Sequence, residues 1–369
     1  MVSYAGARIL VTGGTGFVGG RLAERLQLER RAFVRVLVRN WTSAVWVSRT
    51  RAELVKGEMT DASALTFAVS ACDVVFHCAS GGTTDDEYWR TNVDGTRALL
   101  EASHRAGVRR FVFVSSIAVH GPSPPDGASE LDAYRSMGRG YSRSKIEAER
   151  LVLEFGIRTG LQVCIVRPTF VWGPRSGLFT LRPLRAMKEG TFRLVDDGRG
   201  DCHAVYIDHL VDLLCLAGSH PNAVGEAFLA TDGFDITWRQ FFEFYAGWLG
   251  IDPLPSLSSG SSWVRLQAHA VEHTGRVLAR WQGDAPFWKR ACRRLVYESA
   301  DALRRRGVPN SWDLAKFARR GKLDASKAQR LLGHRSALTL DEAMRRTEQW
   351  VRDQMGTELG LGEHIRQES

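Results

Sequence analysis

Ile9-Leu-Val-Thr-Gly-Gly-Thr-Gly-Phe-Val-Gly19 is the stretch that decides the fold of this 369-residue chain. Arg8 to Val11 read as a short apolar strand, and Phe17 to Leu26 as the helix that follows. Gly13, Gly14, Gly16 and Gly19 lie where one passes into the other. A strand turning sharply into a helix leaves backbone N–H groups pointing outward, with the positive end of the helix dipole behind them. Such a turn holds a pyrophosphate. Glycine is needed because the chain must turn tightly, approach phosphate without a Cβ, and pack the helix close to the sheet. Gly14-x-Gly16-x-x-Gly19 and Gly13-x-x-Gly16-x-x-Gly19 both fit dinucleotide binding. Glycines alone also describe a plain loop, but their place in the first strand–helix unit favours the nucleotide.

Working outward, Phe33–Val38 is a second strand ending at Arg39, 20 residues after Gly19. An acid at this point would bind a ribose 2′-hydroxyl, whereas an arginine suits a 2′-phosphate. No acid stands beside Arg39, so NADP(H) is preferred over NAD(H); an exposed arginine at a strand end is the plainer reading. Glu53–Lys56 is a third strand. Asp61 beyond it is placed either to read an adenine amino group or to cap the next helix. Asp73–Ala79 is a fourth strand, ending at Ser80-Gly-Gly; Asn92 opens a long helix, and Arg110–Ser116 is a fifth strand. Five apolar strands alternating with helices predict an α/β, doubly wound Rossmann sheet. Ligands bind at the carboxyl ends of such strands, so Gly13–Gly19, Arg39, Ala79–Gly82 and Ser115–Ser116 should share one rim. Gly121-Pro-Ser-Pro-Pro-Asp-Gly then begins a breaker-rich stretch, expected to be a flexible flap reaching Gly140. Tyr141 and Lys145, four apart on the next helix, share one face.

Gly13-x-x-Gly16-x-x-Gly19, Asn92, Ser116 and Tyr141-x-x-x-Lys145, in that order and spacing, resemble an extended short-chain dehydrogenase/reductase. That group includes NAD(P)-dependent epimerase/dehydratases and 3β-hydroxysteroid dehydrogenase-like enzymes. The resemblance runs from residue 7 to about 250 and resumes from Leu323 to the Trp350 helix. It implies cofactor contacts at Gly13, Thr15, Gly16, Phe17, Val18, Gly19, Arg39, Asp61, Ala79, Ser80, Gly81, Asn92, Ser115, Tyr141, Lys145 and Pro168. It also implies a catalytic Ser116, Tyr141 and Lys145. Hydride transfer to a carbonyl needs a proton donor at the developing alkoxide, and alcohol oxidation needs the reverse. A free tyrosine titrates near 10. An ammonium one turn away would lower that value, and Lys145 would also hold the nicotinamide ribose. Ser116 would position the substrate oxygen. Tyr134 is a decoy, since the residue four places on is Gly138. His77 reads as a satisfied strand histidine; His120 stands where relatives often carry tyrosine, and contact with substrate is the lesser of its two readings.

The resemblance leaves the substrate open. Sugar-nucleotide members commonly have an asparagine where this chain has Phe170, and an arginine about where Cys202 sits. The segment after Ser115 also lacks the acid pair of 4,6-dehydratases. These departures favour an alcohol/ketone oxidoreductase on a fairly apolar, sterol- or polyketide-like molecule. A sugar-nucleotide 4-epimerase or reductase is the alternative. A cofactor-bound sensing protein without catalysis is a third reading, opposed by the intact triad.

The expected domains are a cofactor-binding core over 1–170, with 200–220 returning to it, and a smaller, largely helical substrate lobe over 171–369. Net charge is +9, concentrated in residues 255–335, which hold 17 Lys/Arg against 6 Asp/Glu. A solvated face is the default meaning of such a segment, and no nucleic acid is expected. Within it, Trp263, Leu266, Ala270, Val277 and Trp281 recur at helical spacing, with Arg265, Glu272, Arg276 and Arg280 on other faces. Asp284 and Pro286 would open a second helix striped by Phe287, Ala291 and Leu295. These helices either complete the lobe's own core, roof an apolar pocket, meet a partner, or lie peripherally on a membrane. Relatives often dimerise through a four-helix contact, and by that analogy helices 92–106 and 141–155 could serve a homodimer here. Thr339 and Glu342 suggest a capping box before the last helix, and Met355–Ser369 a frayed tail. No charged leader precedes an apolar run, and no apolar stretch nears the roughly 20 residues of a spanning helix. The six cysteines form no Cys-x-x-Cys pair. The expectation is a cytoplasmic enzyme with reduced thiols and no metal.

Overall fold

β1 (Arg8–Thr12) runs through the middle of the sheet because its residues are apolar on both faces, as a strand between two helical layers must be. In the computed structural model, which describes residues 3–82, 84–136, 140–262, 264–266, 268 and 309–361, β1 lies between β2 (Phe33–Val38) and β4 (Val74–His77). β3 (Glu53–Lys56) pairs with β2, β5 (Arg110–Val114) with β4, and β6 (Gln162–Pro168) with β5. A strand not expected from the sequence, β10 (Ala227–Ala230), closes the far edge beside β6. The seven strands are parallel in the order β3-β2-β1-β4-β5-β6-β10. The order reverses direction between β1 and β4, and it is there that a doubly wound sheet opens a crevice for ligand.

Helix α1 (Phe17–Leu28) and α7 (Ile207–Ser219) pack together on one face. They are tied by Arg21 to Asp208 at 2.7 Å and Arg25 to Asp212 at 3.0 Å. On the other face lie α2 (Ala62–Val69), α4 (Gly95–Arg105) and α5 (Gly140–Thr159). Leu10, Val75, Phe111, Leu99 and Val152 meet there with no exposed surface. Each such side chain contributes about 1.5–3 kcal/mol by leaving water. Two short strands, β7 (Phe170–Trp172) and β9 (Ala204–Tyr206), form a separate parallel pair.

The chain divides into two compact units. The first comprises Met1–Trp172, His203–Gly233 and Leu323–Thr339; the second comprises Gly173–Cys202, Phe234–Lys322 and Leu340–Ser369. Leu323–Thr339, which the sequence reading assigned to the C-terminal lobe, thus counts with the sheet. Its attachments explain why: Asp324 donates its N–H to the Ala128 carbonyl, Lys327 pairs with Glu226, and His334 meets the His209 carbonyl. The second unit contains helices α6 (Arg182–Lys188), α8 (Trp238–Leu249), Ser311–Ala318 and Leu340–Leu359, and a short strand pair, β8 (Leu194–Val195) with β11 (Ser256–Leu257). Trp238 stacks on Phe242 at 5.7 Å and meets Phe317 edge-on at 4.8 Å, an aromatic core of the unit's own.

Three expectations change or pass out of view. The last helix does not fray from Met355 but continues to Leu359, because Gly356 and Leu359 are buried and Glu358 pairs with Arg185. The stripe of Trp263, Ala270, Val277 and Trp281, the charges Glu272, Arg276 and Arg280, the helix from Asp284 to Leu295, and Cys292 lie outside the described residues. No disulfide is formed among the described residues, and of the five described cysteines all but Cys78 are buried.

The stretch after Gly121 is no loose flap. Its Glu130 carbonyl accepts from Arg167 at 2.8 Å, and the Glu130 carboxylate accepts the Leu229 N–H at 2.7 Å. Arg167 is in turn locked to Glu149 of α5 at 2.6–3.1 Å, both side chains being at most 4% exposed. Leaving one half of a buried ion pair alone costs about 3–5 kcal/mol, while removing both together costs less. We therefore expect Arg167→Leu to lower stability by about that amount, and Arg167→Leu with Glu149→Leu to be less damaging, both measured by urea denaturation.

Candidate active site

Gly13 adopts φ +68° immediately after β1, and a Cβ built on it would lie 2.7 Å from the Ala79 nitrogen. A Cβ on Gly19 would lie 2.5 Å from the Gly13 carbonyl. The turn therefore sits hard against the end of β4 and against its own helix, which only glycine permits. Gly16 begins α1 with no side-chain cap, so the first N–H groups of the helix are left for a ligand. Thr15, Phe17 and Val18 are partly exposed around this opening. The arrangement matches an anion cradle at a helix N-terminus.

The other expected residues fall at the carboxyl ends of neighbouring strands. Arg39 follows β2, is exposed, and has no partner among the described residues. Asp61 caps α2, accepting from Ser63 and Ala64 through one oxygen, and these bonds hold its carboxyl below the usual range. Ser80 and Gly81 follow β4, and both donate to the Asn92 side chain, at 3.1 and 3.4 Å. Pro168 ends β6, buried beside Ala230 of β10. Ser115, just past β5, is buried with a hydroxyl that has no partner among the described residues.

Ser116, the next residue, caps a short turn, Ile117–His120, its hydroxyl accepting the Ala118 N–H, and it lies close enough to the Tyr141 phenol to lower that group's pKa. That meeting is enforced by Ser142, whose hydroxyl donates to the Ala118 carbonyl at 2.8 Å and bolts the first turn of α5 to this segment. Lys145 follows one helical turn later and is 2% exposed. Its Nζ donates to the Val114 carbonyl at 2.8 Å and lies 4.7 Å from the Phe113 ring. Burial pushes its pKa down to about 8. The Tyr141 phenol is pushed up, chiefly by burial, with Ser116 opposing. The expected lowering of the phenol by Lys145 is thus not found here, because the ammonium is turned to the Val114 carbonyl.

Sequence reasoning missed Tyr88, whose ring meets Tyr141 edge-on at 5.6 Å. It stands in α3 (Asp85–Trp89), four residues before Asn92, a spacing that carries no chemical signal by itself. His120 does not face a substrate. It is 2% exposed, its Nε2 accepts from Arg167 at 3.1 Å, and burial followed by that cation pushes its pKa down. Tyr134, set aside as a decoy, belongs to the same cluster through Glu149 at 2.8 Å.

Three observations fit a dinucleotide. The glycine turn is a cradle that a Cβ would fill. Lys145 has three donors and one hydrogen-bond acceptor among the described residues, leaving protons for a ribose diol. The Ser115 hydroxyl is buried and unmet among the described residues. No group of His, Cys, Asp or Glu among the described residues could hold a metal. No described helix is long and apolar enough to cross a membrane.

The low pKa of Lys145 has a consequence for stability. Above about 8 the native amine is neutral while the unfolded one still holds its proton. Its contribution to stability therefore rises with pH until the unfolded amine also titrates. We expect Lys145→Met to raise stability at pH 7 by up to about 3 kcal/mol and to flatten the rise above pH 8, read from urea midpoints.

Known proteins resemble this chain in sequence and in fold. The family model described as "NAD dependent epimerase/dehydratase family" matches residues 9–230. The chain is 32% identical over 241 residues to the 4-hydroxy-2-methyl-3-oxo-4-farnesyl-3,4-dihydroquinoline-1-oxide ketoreductase of Stigmatella aurantiaca, covering 63% of this chain and 71% of that one. It is 31% identical over 251 residues to the 3 beta-hydroxysteroid dehydrogenase/Delta 5-->4-isomerase of Mycobacterium tuberculosis, covering 63% and 67%. Its fold is similar to that of UDP-glucose 4-epimerase from Thermotoga maritima, with TM-score 0.71, 21% identity, and 94% and 99% of the two chains covered. The chain belongs to the NAD dependent epimerase/dehydratase family and is an enzyme of the extended short-chain dehydrogenase/reductase type.

Proposed function

We propose that this enzyme interconverts a secondary alcohol and a ketone on a fairly apolar substrate, with NADP(H) preferred over NAD(H). The observation that carries the reading is the approach of Ser116 to the Tyr141 phenol, one helical turn from the buried Lys145. The bound nicotinamide would supply or accept the hydride. Tyr141, held protonated by burial, is in the form that donates to a developing alkoxide; in the reverse direction it receives the alcohol proton. Ser116, already beside the phenol, would hold the substrate oxygen at the same point. Lys145, released from the Val114 carbonyl to the ribose hydroxyls, would bring its charge nearer the phenol and ease its ionisation. Arg39, exposed and unpartnered among the described residues, would bind the 2′-phosphate.

For the substrate class, support comes from the residues and the relatives together. Phe170 and Cys202 stand where sugar-nucleotide members commonly carry asparagine and arginine. Two of the relatives are named for a ketone and a hydroxysteroid. Another, UDP-glucose 4-epimerase of Vibrio cholerae at 29% identity, keeps the sugar-nucleotide reading as the rival.

Tyr141→Phe should lower turnover at least about 10²-fold while leaving cofactor affinity nearly unchanged; undiminished turnover would remove Tyr141 from the mechanism. Arg39→Ala should weaken NADPH binding about tenfold or more and leave NADH unaffected. Equal affinities for the two before and after the change would defeat the phosphate assignment. In a thermal-shift screen, apolar ketones should stabilise the cofactor-loaded enzyme. A ligand at about 100 times its Kd adds about 2.7 kcal/mol. Stabilisation by uridine or thymidine diphosphate instead would promote the epimerase reading.

A further inference from the structure

We infer that His77 is a positioning residue, which sets the glycine turn in register with the helix carrying Tyr141 and Lys145. The inference rests on the cofactor-binding reading above and adds a residue to it. His77 ends β4 with no exposed surface and makes two hydrogen bonds, its Nδ1 to Thr12 Oγ1 at 2.8 Å and its Nε2 to Thr96 Oγ1 at 2.8 Å.

The direction of these bonds follows from their neighbours. Thr96 donates its only hydroxyl proton to the Asn92 carbonyl at 2.6 Å, so it must accept from His77, which places the ring proton on Nε2. Nδ1 is then an acceptor, and Thr12 donates to it. The Thr12 oxygen is left to accept the Ala79 N–H at 3.3 Å. The ring is neutral throughout, since burial and the neighbouring Lys145 push its pKa down to about 3. The groups that face it are the two threonines, Lys145, and the Phe111 and Phe113 rings at 6.0 and 5.5 Å.

The two ends of this chain matter for different reasons. Thr12 is the residue before Gly13, and Ala79 is the residue against which Gly13 packs. Asn92 receives the Ser80 hydroxyl and the Gly81 N–H, and its amide donates to Ser144 at 2.9 Å. Ser144 precedes Lys145 and donates to the Tyr141 carbonyl at 2.9 Å. Asn92 itself lies in a wide-wound segment, Arg90–Asp94, where the backbone bonds reach five residues rather than four, as from the Gly95 N–H to the Arg90 carbonyl. His77 is therefore the link through which the pyrophosphate turn and the proton-transfer helix share one alignment.

The test uses Thr96, because the isosteric Thr96→Val removes the acceptor for Nε2–H without opening a cavity. Binding of NADPH and of NADH to the full chain is measured by calorimetry at a temperature where circular dichroism shows each variant folded. We expect Thr96→Val to weaken the preferred cofactor about tenfold, and Thr96→Ser to stay within about threefold of the wild type. His77→Phe should weaken binding at least as much, and adding Thr96→Val to it should have little further effect, as for members of one network. A Thr96→Val protein that melts earlier but binds both cofactors within twofold of the wild type would reduce His77 to a packing role and overturn the inference. A wild type that binds neither cofactor would overturn the cofactor reading, and this inference with it. The wild-type titration alone separates that failure from the other.

Discussion

Contact between the first turn of the sheet and the end of β4 is the constraint on which the rest depends. A Cβ at Gly13 has no room beside Ala79, and the two strands end together because Thr12 and His77 are bonded across them. This closure places the open N-terminus of α1 beside the loop after β4. It also lies at the position where strand order reverses, so the crevice and the anion cradle are one feature of the topology. The reacting side chains then need only come from β5 and α5, the next elements along the sheet.

Those side chains are held by a buried polar framework, which a low-dielectric interior makes demanding. Lys145 keeps one carbonyl as its partner and is driven toward neutrality by burial. Four residues further along the same helix, Glu149 is buried against Arg167, and Arg167 also takes His120 and the Glu130 carbonyl. One face of α5 thus presents the proton-transfer pair, while the same helix anchors the stretch after Gly121. Glu149 and Tyr141 stand eight residues apart on that one continuous helix.

Much of this was legible in the chain. β2 and β3 are found at the residues expected, Phe33–Val38 and Glu53–Lys56, because apolar runs bounded by breakers leave few alternatives. Tyr141 and Lys145 share a helix as their spacing required, and Ser116 lies beside the phenol. Other features were illegible for physical reasons. β10 is a four-residue strand whose partner, β6, is some sixty positions away, and no local pattern announces such a pairing. Tyr88 approaches Tyr141 only because α3 folds back against α5. His120 stands where relatives often carry tyrosine, and only the fold shows that burial beside Arg167 is its occupation. The helix Leu340–Leu359 outran its expected end because Leu359 found a buried site and Glu358 an arginine.

Local chemistry by itself determined the glycine turn, the alternation of strand and helix, the family, and the residue types able to move a proton. These depend on periodicity, on backbone freedom at a few positions, and on spacings within one helix, all properties of short stretches. Tertiary structure alone decided the tautomer of His77, the partner of Lys145, and the fate of the segment after Gly121. Each is an outcome of burial, and burial depends on which distant residues arrive to meet a polar group once water has gone.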